Sequence, residues 1–271
     1  MNLHLTNGTA IADAELKLIR FMRNEYELYD GISVPQDSTL SLFDILLSIM
    51  MNSRLDTANK VQSIWRGRAS VERALALVPP SIALQDEDVP WEDLRTLFDA
   101  FCAIAWAGPA VATKILYKKR PTLIPIFDSV ISIYIDRCNE EEALPRGSTP
   151  GTYMIRGMKC FRRLLVGSFD DIQRLRALPE MQAYKVSPLR VLEVLLWIEK
   201  EGSGYYQICP NCHGEKAIPI GYGEPSPKMT SDAAKGKLHI GGCFFSVTYP
   251  RWFCPKCESK WGDFLGTWLD R

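Results

Sequence analysis

The sequence predicts a mainly α protein, with a helical body over residues 1–203 and a small β module over residues 204–271. Three observations carry this reading. Apolar residues recur at helical spacing through the first 200 positions. The short stretch Gly202-Ser203-Gly204 then interrupts the pattern, and the composition shifts to Gly, Pro, Cys and aromatic residues. Two Cys-Pro-x-Cys pairs, Cys209 with Cys212 and Cys254 with Cys257, lie in that second part.

The elements follow in order. A loose helix over 13–29 places Leu16, Ile19 and Met22 on one side. The dense run over 41–51, with Phe43, Ile45, Leu46, Leu47, Ile49 and Met50, suits a helix buried on most sides. Residues 58–65 and 71–77 read as two shorter helices, the second stopped by Pro79-Pro80. The most regular helix covers 91–105, where Trp91, Leu94, Leu97, Phe98, Phe101 and Cys102 repeat at three and four residues. Trp106-Ala107-Gly108 breaks it, and Pro109 opens another helix at a first-turn position. That helix ends in Lys118-Lys119-Arg120 before Pro121, a favourable basic terminus and a stop signal. After the apolar segment 123–127, Asp128 can cap a helix running to about Arg137. Residues 146–151 read as a loop. Helices resume over 153–166, 169–177 and 188–200, the last with Ser187 at its N-cap and Pro188 at N1.

Thirty-two basic and 32 acidic residues give zero formal charge, which weighs against nucleic-acid binding by bulk electrostatics alone. A local basic surface is compatible with that balance. Lys114, Lys118, Lys119 and Arg120 lie together, as do Arg156, Lys159, Arg162 and Arg163, whereas 86–93 is acidic. Arg156, Lys159 and Arg163 share one helical face, either a phosphate-facing stripe or a solvated one. No apolar run reaches the roughly 18–20 residues of a membrane span. Residues 1–14 lack a basic segment followed by an apolar one. With four of eight cysteines in the two pairs, the expectation is a cytoplasmic chain in a reducing compartment, with no membrane partner.

Each Cys-Pro-x-Cys turn lets two thiolates face one ion. Cys209, Cys212, Cys254 and Cys257 together complete a closed tetrahedral shell, the signature of a structural Zn²⁺ in a zinc-ribbon-like module. The 41 residues between the pairs leave room for a hairpin insertion around 221–236. His213 and Cys243 could substitute for a ligand, but the balance makes each a bystander. Arg251, Trp252, Lys256, Lys260 and Trp261 suit either nucleic-acid contact or the core of a small domain, and the balance favours the core.

The stretch 91–135 carries the chemistry. Two helices joined at Gly108-Pro109 form a helix-hairpin-helix candidate, whose second helix can offer backbone N–H groups to a DNA phosphate. The segment Gly108-Pro-Ala-Val-Ala-Thr-Lys-Ile-Leu116, followed by Ile124-Pro-Ile-Phe-Asp-Ser-Val-Ile131, resembles the HhH-GPD superfamily of DNA glycosylases. In that family an Asp-Thr/Ser-x-apolar motif follows the hairpin, and its aspartate is catalytic. The 18 residues from Ala110 to Asp128 match the family spacing. The stretch 42–56 is similar to the family's early buried helix and to the polar loop that enters DNA where the target base has left the stack. The resemblance covers about 40–137 and extends toward 200. It implies Asp128 as the catalytic carboxylate, Gly108 and Lys114 as backbone contacts, and Asn52, Ser53 and Arg54 as the inserted residues.

Two departures shape the expectation. Ala110 stands where bifunctional members carry a lysine nucleophile, so the resemblance implies a monofunctional enzyme without a lyase step. Trp106 stands where the hairpin has its first glycine, and a tryptophan does not readily adopt a left-handed conformation. That argues against the standard hairpin geometry. The expected function is therefore cleavage of the N-glycosidic bond of a damaged or modified base in double-stranded DNA, in repair or against modified foreign DNA, with no nucleotide cofactor. The alternative is a non-catalytic DNA-binding or protein-interaction module on the same kind of fold.

Overall fold

The computed structural model describes residues 1–53, 55–128, 131, 148–201, 209, 211–212, 217–244, 249–250 and 252–261. The chain divides into two compact units, Met1–Trp197 and Ile198–Arg271. The fold is mainly α, with a small C-terminal sheet beside the four-cysteine cluster.

The first unit opens on a two-stranded antiparallel hairpin that helical periodicity did not announce, β1 (Leu3–His4) with β2 (Ala10–Ile11). Its turn uses Gly8 at φ 83° and the Asn7 side chain, which accepts the Thr9 N–H at 3.1 Å. Helix α1 (Ala14–Glu25) buries Leu18, Ile19, Phe21 and Met22, so its inner stripe excludes Leu16.

Helix α2 (Leu42–Leu47) begins at a reciprocal cap between Ser41 and Asp44. It tightens into a 3₁₀ turn over Ser48–Met51 and stops at Asn52, which is left-handed with φ 55°. The expectation of a helix buried on most sides does not hold. Ile45 and Leu47 are buried, but Leu42, Phe43, Leu46, Ile49 and Met50 are exposed. Leu42, Leu46 and Ile49, with Leu55, Val61 and Trp65, line an open cavity of about 550 Å³.

Helix α3 is continuous over Ala58–Leu75, joining the two shorter helices expected over 58–65 and 71–77. Gly67 lies inside it because an added Cβ would sit 2.7 Å from the Ile104 side chain. Helix α4 spans Trp91–Cys102, and α5 spans Pro109–Lys119 with Pro109 in its first turn. Helix α6 (Pro150–Gly167) starts inside the stretch expected to be a loop. Thr149 caps it, and the Gly151 N–H donates to Asp99 of α4 at 2.7 Å. An added Cβ at Gly151 would lie 2.4 Å from the Arg95 carbonyl oxygen, so the α4–α6 approach requires glycine there. Helices α7 (Phe169–Arg176) and α8 (Pro188–Glu201) follow. Ser187 accepts the Arg190 N–H at 3.1 Å, the N-cap expected from the sequence.

The core of this unit is closed by Leu97, Phe98, Phe101, Ile115, Leu116, Phe161 and Leu192. Each such side chain contributes roughly 1.5–3 kcal/mol by leaving water. Cys160 is disulfide-bonded, which departs from the expectation of reduced cysteines at that position. No helix among the described residues is long and apolar enough to cross a membrane. Of the helix expected after Asp128, Ile131 is helical and the remainder falls outside the described residues.

The second unit contains a four-stranded sheet in the order β4-β3-β5-β6, formed by β3 (Ile218–Tyr222), β4 (His239–Gly242), β5 (Trp252–Phe253) and β6 (Lys260–Trp261). The insertion between the cysteine pairs is not a hairpin. Strands β3 and β4 run parallel, joined by helix α9 (Pro227–Ala234), because parallel neighbours need a crossover. Ser226 caps α9 and Pro227 occupies its first turn. Strands β5 and β6 pair antiparallel across the second Cys-Pro-x-Cys turn.

Candidate functional site

The first site is assembled around α5. Every residue of this helix from Val111 to Lys119 is buried, charged ones included. That settles the basic cluster. Lys119 donates to Pro35 O at 3.0 Å and pairs with Asp44 at 3.0 Å and Asp37 at 3.2 Å. Arg120 donates to the carbonyls of Val78, Leu75, Gln36 and Asp37 at 2.7–3.2 Å. Lys118 donates to Tyr29 O at 2.9 Å, and burial pulls its ammonium down to about 8. These cations hold the loop 29–37 and the end of α3 to α5. They do not form the basic surface expected from their clustering.

Lys114 requires the same correction. It is 6% exposed, and its ammonium lies 3.5 Å from the Asn52 carbonyl oxygen. Ser53 is also buried, its hydroxyl 3.0 Å from that of Ser48, so it faces inward. Asn52 is exposed, while Arg54 lies outside the described residues. The loop after α2 is thus docked on α5, with Asn52 presented to solvent.

The segment before Asp128 is held by two side chains, one from α5 and one from α8. Thr113 of α5 accepts the Phe127 N–H at 3.0 Å while donating to Pro109 O at 2.9 Å. Glu193 of α8 accepts the Ile126 N–H at 3.1 Å. The segment is further fixed by burial of Leu123, Ile124, Ile126 and Phe127, whose ring meets Phe161 edge-on. Asp128 itself is half-buried, and its Oδ1 accepts the Ile131 N–H at 2.9 Å, the bond of a helix cap. It is not among the residues lining the cavity beside α2.

Behind this segment lies a buried charge network that the sequence reading missed. Arg190 holds Asp30 through two nitrogens, at 2.9 and 2.8 Å, and also bonds Glu193. Tyr117 donates to Asp30 at 3.2 Å, and Tyr29 stacks on Tyr117 while donating to Lys114 O at 2.5 Å. Burial pushes the Glu193 carboxyl up to about 7; Arg190 works against this, and the charges of Asp30 and Asp128 add to it. Burial opposes the Arg190 charge, but Asp30 and Glu193 more than offset it and hold it ionised. The signal was present in the run 189–196, where an arginine and a glutamate interrupt an otherwise apolar helix.

The hairpin joining α4 and α5 also differs from expectation. Trp106 adopts the left-handed conformation, with φ 70°, so the bulky side chain has not prevented the turn. Gly108 is extended at the α5 N-cap, and an added Cβ there would meet nothing within 4 Å. The turn is braced by Ala107 N–H donating to Ile104 O at 3.1 Å and by Ile104 against Gly67.

The second site is the cysteine cluster. The Sγ atoms of Cys209, Cys212, Cys254 and Cys257 all lie within 4.8 Å of one another, with 209–257 at 3.4 Å and 212–254 at 3.6 Å. Four thiolates about 2.3 Å from one ion stand roughly 3.8 Å apart at the corners of a tetrahedron, so this set can hold a metal. The second turn is closed by Cys254 N–H to Ser259 O at 2.9 Å and Glu258 N–H to Cys254 O at 2.8 Å. Hydrogen bonding from the Ser259 hydroxyl, then its N–H, draws the Cys257 thiol down to about 6, toward the thiolate a metal needs. Trp252 is buried in this unit and is therefore core.

No curated protein and no solved structure matches the chain. The model of a family of unknown function, DUF6308, matches residues 17–200, from within α1 to α8, and ends before the first cysteine pair. That match covers more than half of the chain, which therefore belongs to the DUF6308 family.

Proposed function

We propose that this protein is a monofunctional DNA glycosylase-like enzyme with Asp128 as its catalytic carboxylate, and that its four cysteines hold one structural Zn²⁺. The observation that carries the enzymatic reading is the convergence on α5. One helix anchors the Asp128 segment through Thr113, receives the loop at Asn52 through Lys114, and begins at a hairpin whose residue 106 is left-handed. These are the parts that a base-excising enzyme must hold in register: a carboxylate, an inserted loop and a turn on the backbone.

The chemistry follows from the charge. As the base departs, the sugar becomes oxocarbenium-like, and a fixed carboxylate stabilises it or orients the attacking water. Extruding the base costs a few kcal/mol, which contacts from the Asn52 loop would offset. With alanine at position 110 there is no amine to form a Schiff base, so the product is an intact abasic site. Incubation with duplexes bearing varied damaged or modified bases should release base with wild type and lose it at least 100-fold with Asp128→Asn. Equal release by both would remove Asp128 from the mechanism.

A second reading, a non-catalytic module for DNA or a protein partner, is favoured by the capping bond of Asp128 and by the burial of the α5 cations. It requires that no substrate lose a base. For the metal, the four-thiolate set leaves no open position for a reacting water, so the ion's role is structural. Elemental analysis of the purified protein should give one zinc per chain, falling to none in Cys254→Ser.

A further inference from the structure

We infer that Trp106 is a stacking platform for an unpaired nucleobase. The inference rests on the nucleic-acid reading above and extends it to a contact that the family resemblance does not supply. Trp106 is 66% exposed although it is a large apolar side chain. It also occupies a left-handed backbone conformation, which is strained for a bulky residue and costs nothing for glycine. A folding role would bury the ring to offset that strain, and this ring is in water. Strained, exposed residues of this kind persist where they contact a ligand.

The surroundings specify the ligand. The turn is clamped by Ile104 against Gly67 of α3, so the indole projects from a fixed base. The Lys60 ammonium lies 5.5 Å from the ring centroid and is held there by Asp56 at 2.7 Å. Asp56 closes the loop that carries Asn52, the exposed left-handed residue docked near α5. A flat aromatic ring with an ammonium over it matches a base that stacks on the ring together with its own phosphate. Bases inside an intact duplex keep their faces covered by neighbours, so the ring selects DNA in which a base is unpaired.

Binding would be measured by fluorescence anisotropy with two labelled duplexes, one fully paired and one with a base opposite an abasic site. The full chain would be compared with Trp106→Gly and Trp106→Asn, both of which accept the left-handed backbone. Wild type should prefer the duplex with the unpaired base by about tenfold, the equivalent of one base stacked on an aromatic ring. Both variants should lose that preference while their Tm stays level or rises. Retention of the preference in either variant, or a fall in Tm in both, would overturn the assignment, the latter by making the ring structural. The base-release assay with Asp128→Asn is independent of this outcome. Trp106-dependent binding without base release would sink only the catalytic reading. Base release without Trp106 dependence would sink only this one.

Discussion

Arg190 sits between two buried carboxylates, yet one suffices to balance its charge. Asp30 takes two of its nitrogens, and the Glu193 carboxyl is left in a site where burial pushes it up to about 7 from an ordinary 4.5. The folded state therefore holds this proton more tightly than the unfolded chain between those values. Glu193 contributes stability that is full below about pH 4.5 and is lost as pH rises through about 7. Over that span the loss is on the order of 3 kcal/mol. Glu193→Gln keeps an acceptor for the Ile126 N–H and cannot ionise. Urea midpoints at pH 5 and pH 8 should therefore fall further in wild type than in the variant. Equal pH slopes would show that Glu193 is ionised throughout. The sequence concealed this network because Asp30, Arg190 and Glu193 converge only once α8 packs against the end of α1. A linear reading shows two charges in a helix and not their partners.

At the scale of an element, α5 carries most of the difference between what was legible and what was not. Its limits were readable from Pro109 and from the stop at Pro121, because those rest on local backbone rules. Its basic end was misassigned, because a cluster of cations reads the same whether it faces phosphate or carbonyl oxygens. Burial decides between them. Lys119 lies against Asp44, itself 2% exposed and already part of the α2 cap. Lys119→Met should therefore leave a buried carboxylate short of its counter-charge and cost on the order of 3 kcal/mol in denaturant unfolding. A change below about 0.5 kcal/mol, the usual effect of a surface lysine, would restore the surface reading. Helix α2 shows the converse failure. Its apolar run suggested burial, but the helix is short, and three of its large side chains and two more in the 3₁₀ turn after it face outward. Helix α3 reads in the sequence as two shorter helices, 58–65 and 71–77, and is one in the fold. In the fold, Gly67 is the point at which Ile104 comes closest. The cysteine pairs needed no such context, since two thiols in one turn is a local property.

Across the whole molecule, the two units depend on different sources of stability. The first has a large apolar core running through α4, α5, α6 and α8. In the second, the buried apolar residues among those described are Ile198, at the start of the unit within α8, Ile220 and Trp252 in the sheet, and the cysteines Cys209 and Cys254 of the cluster itself. Two of its four strands are only two residues long. The surface buried by the described residues does not by itself offset the chain entropy of ordering such a unit, and a metal is the usual staple at that size. The zinc proposed for the four thiolates would supply on the order of 10 kcal/mol, all of it linked to folding. Chelation should therefore open the chain beyond about residue 205 to limited proteolysis, leaving a resistant fragment whose Tm matches that of the intact protein's helical unit. Cys254→Ser should give the same fragment without chelator. Equal resistance of the second unit with and without chelator would mean that the sheet stands on its own packing. It would also mean that the close approach of Cys209, Cys212, Cys254 and Cys257 follows from the fold rather than producing it.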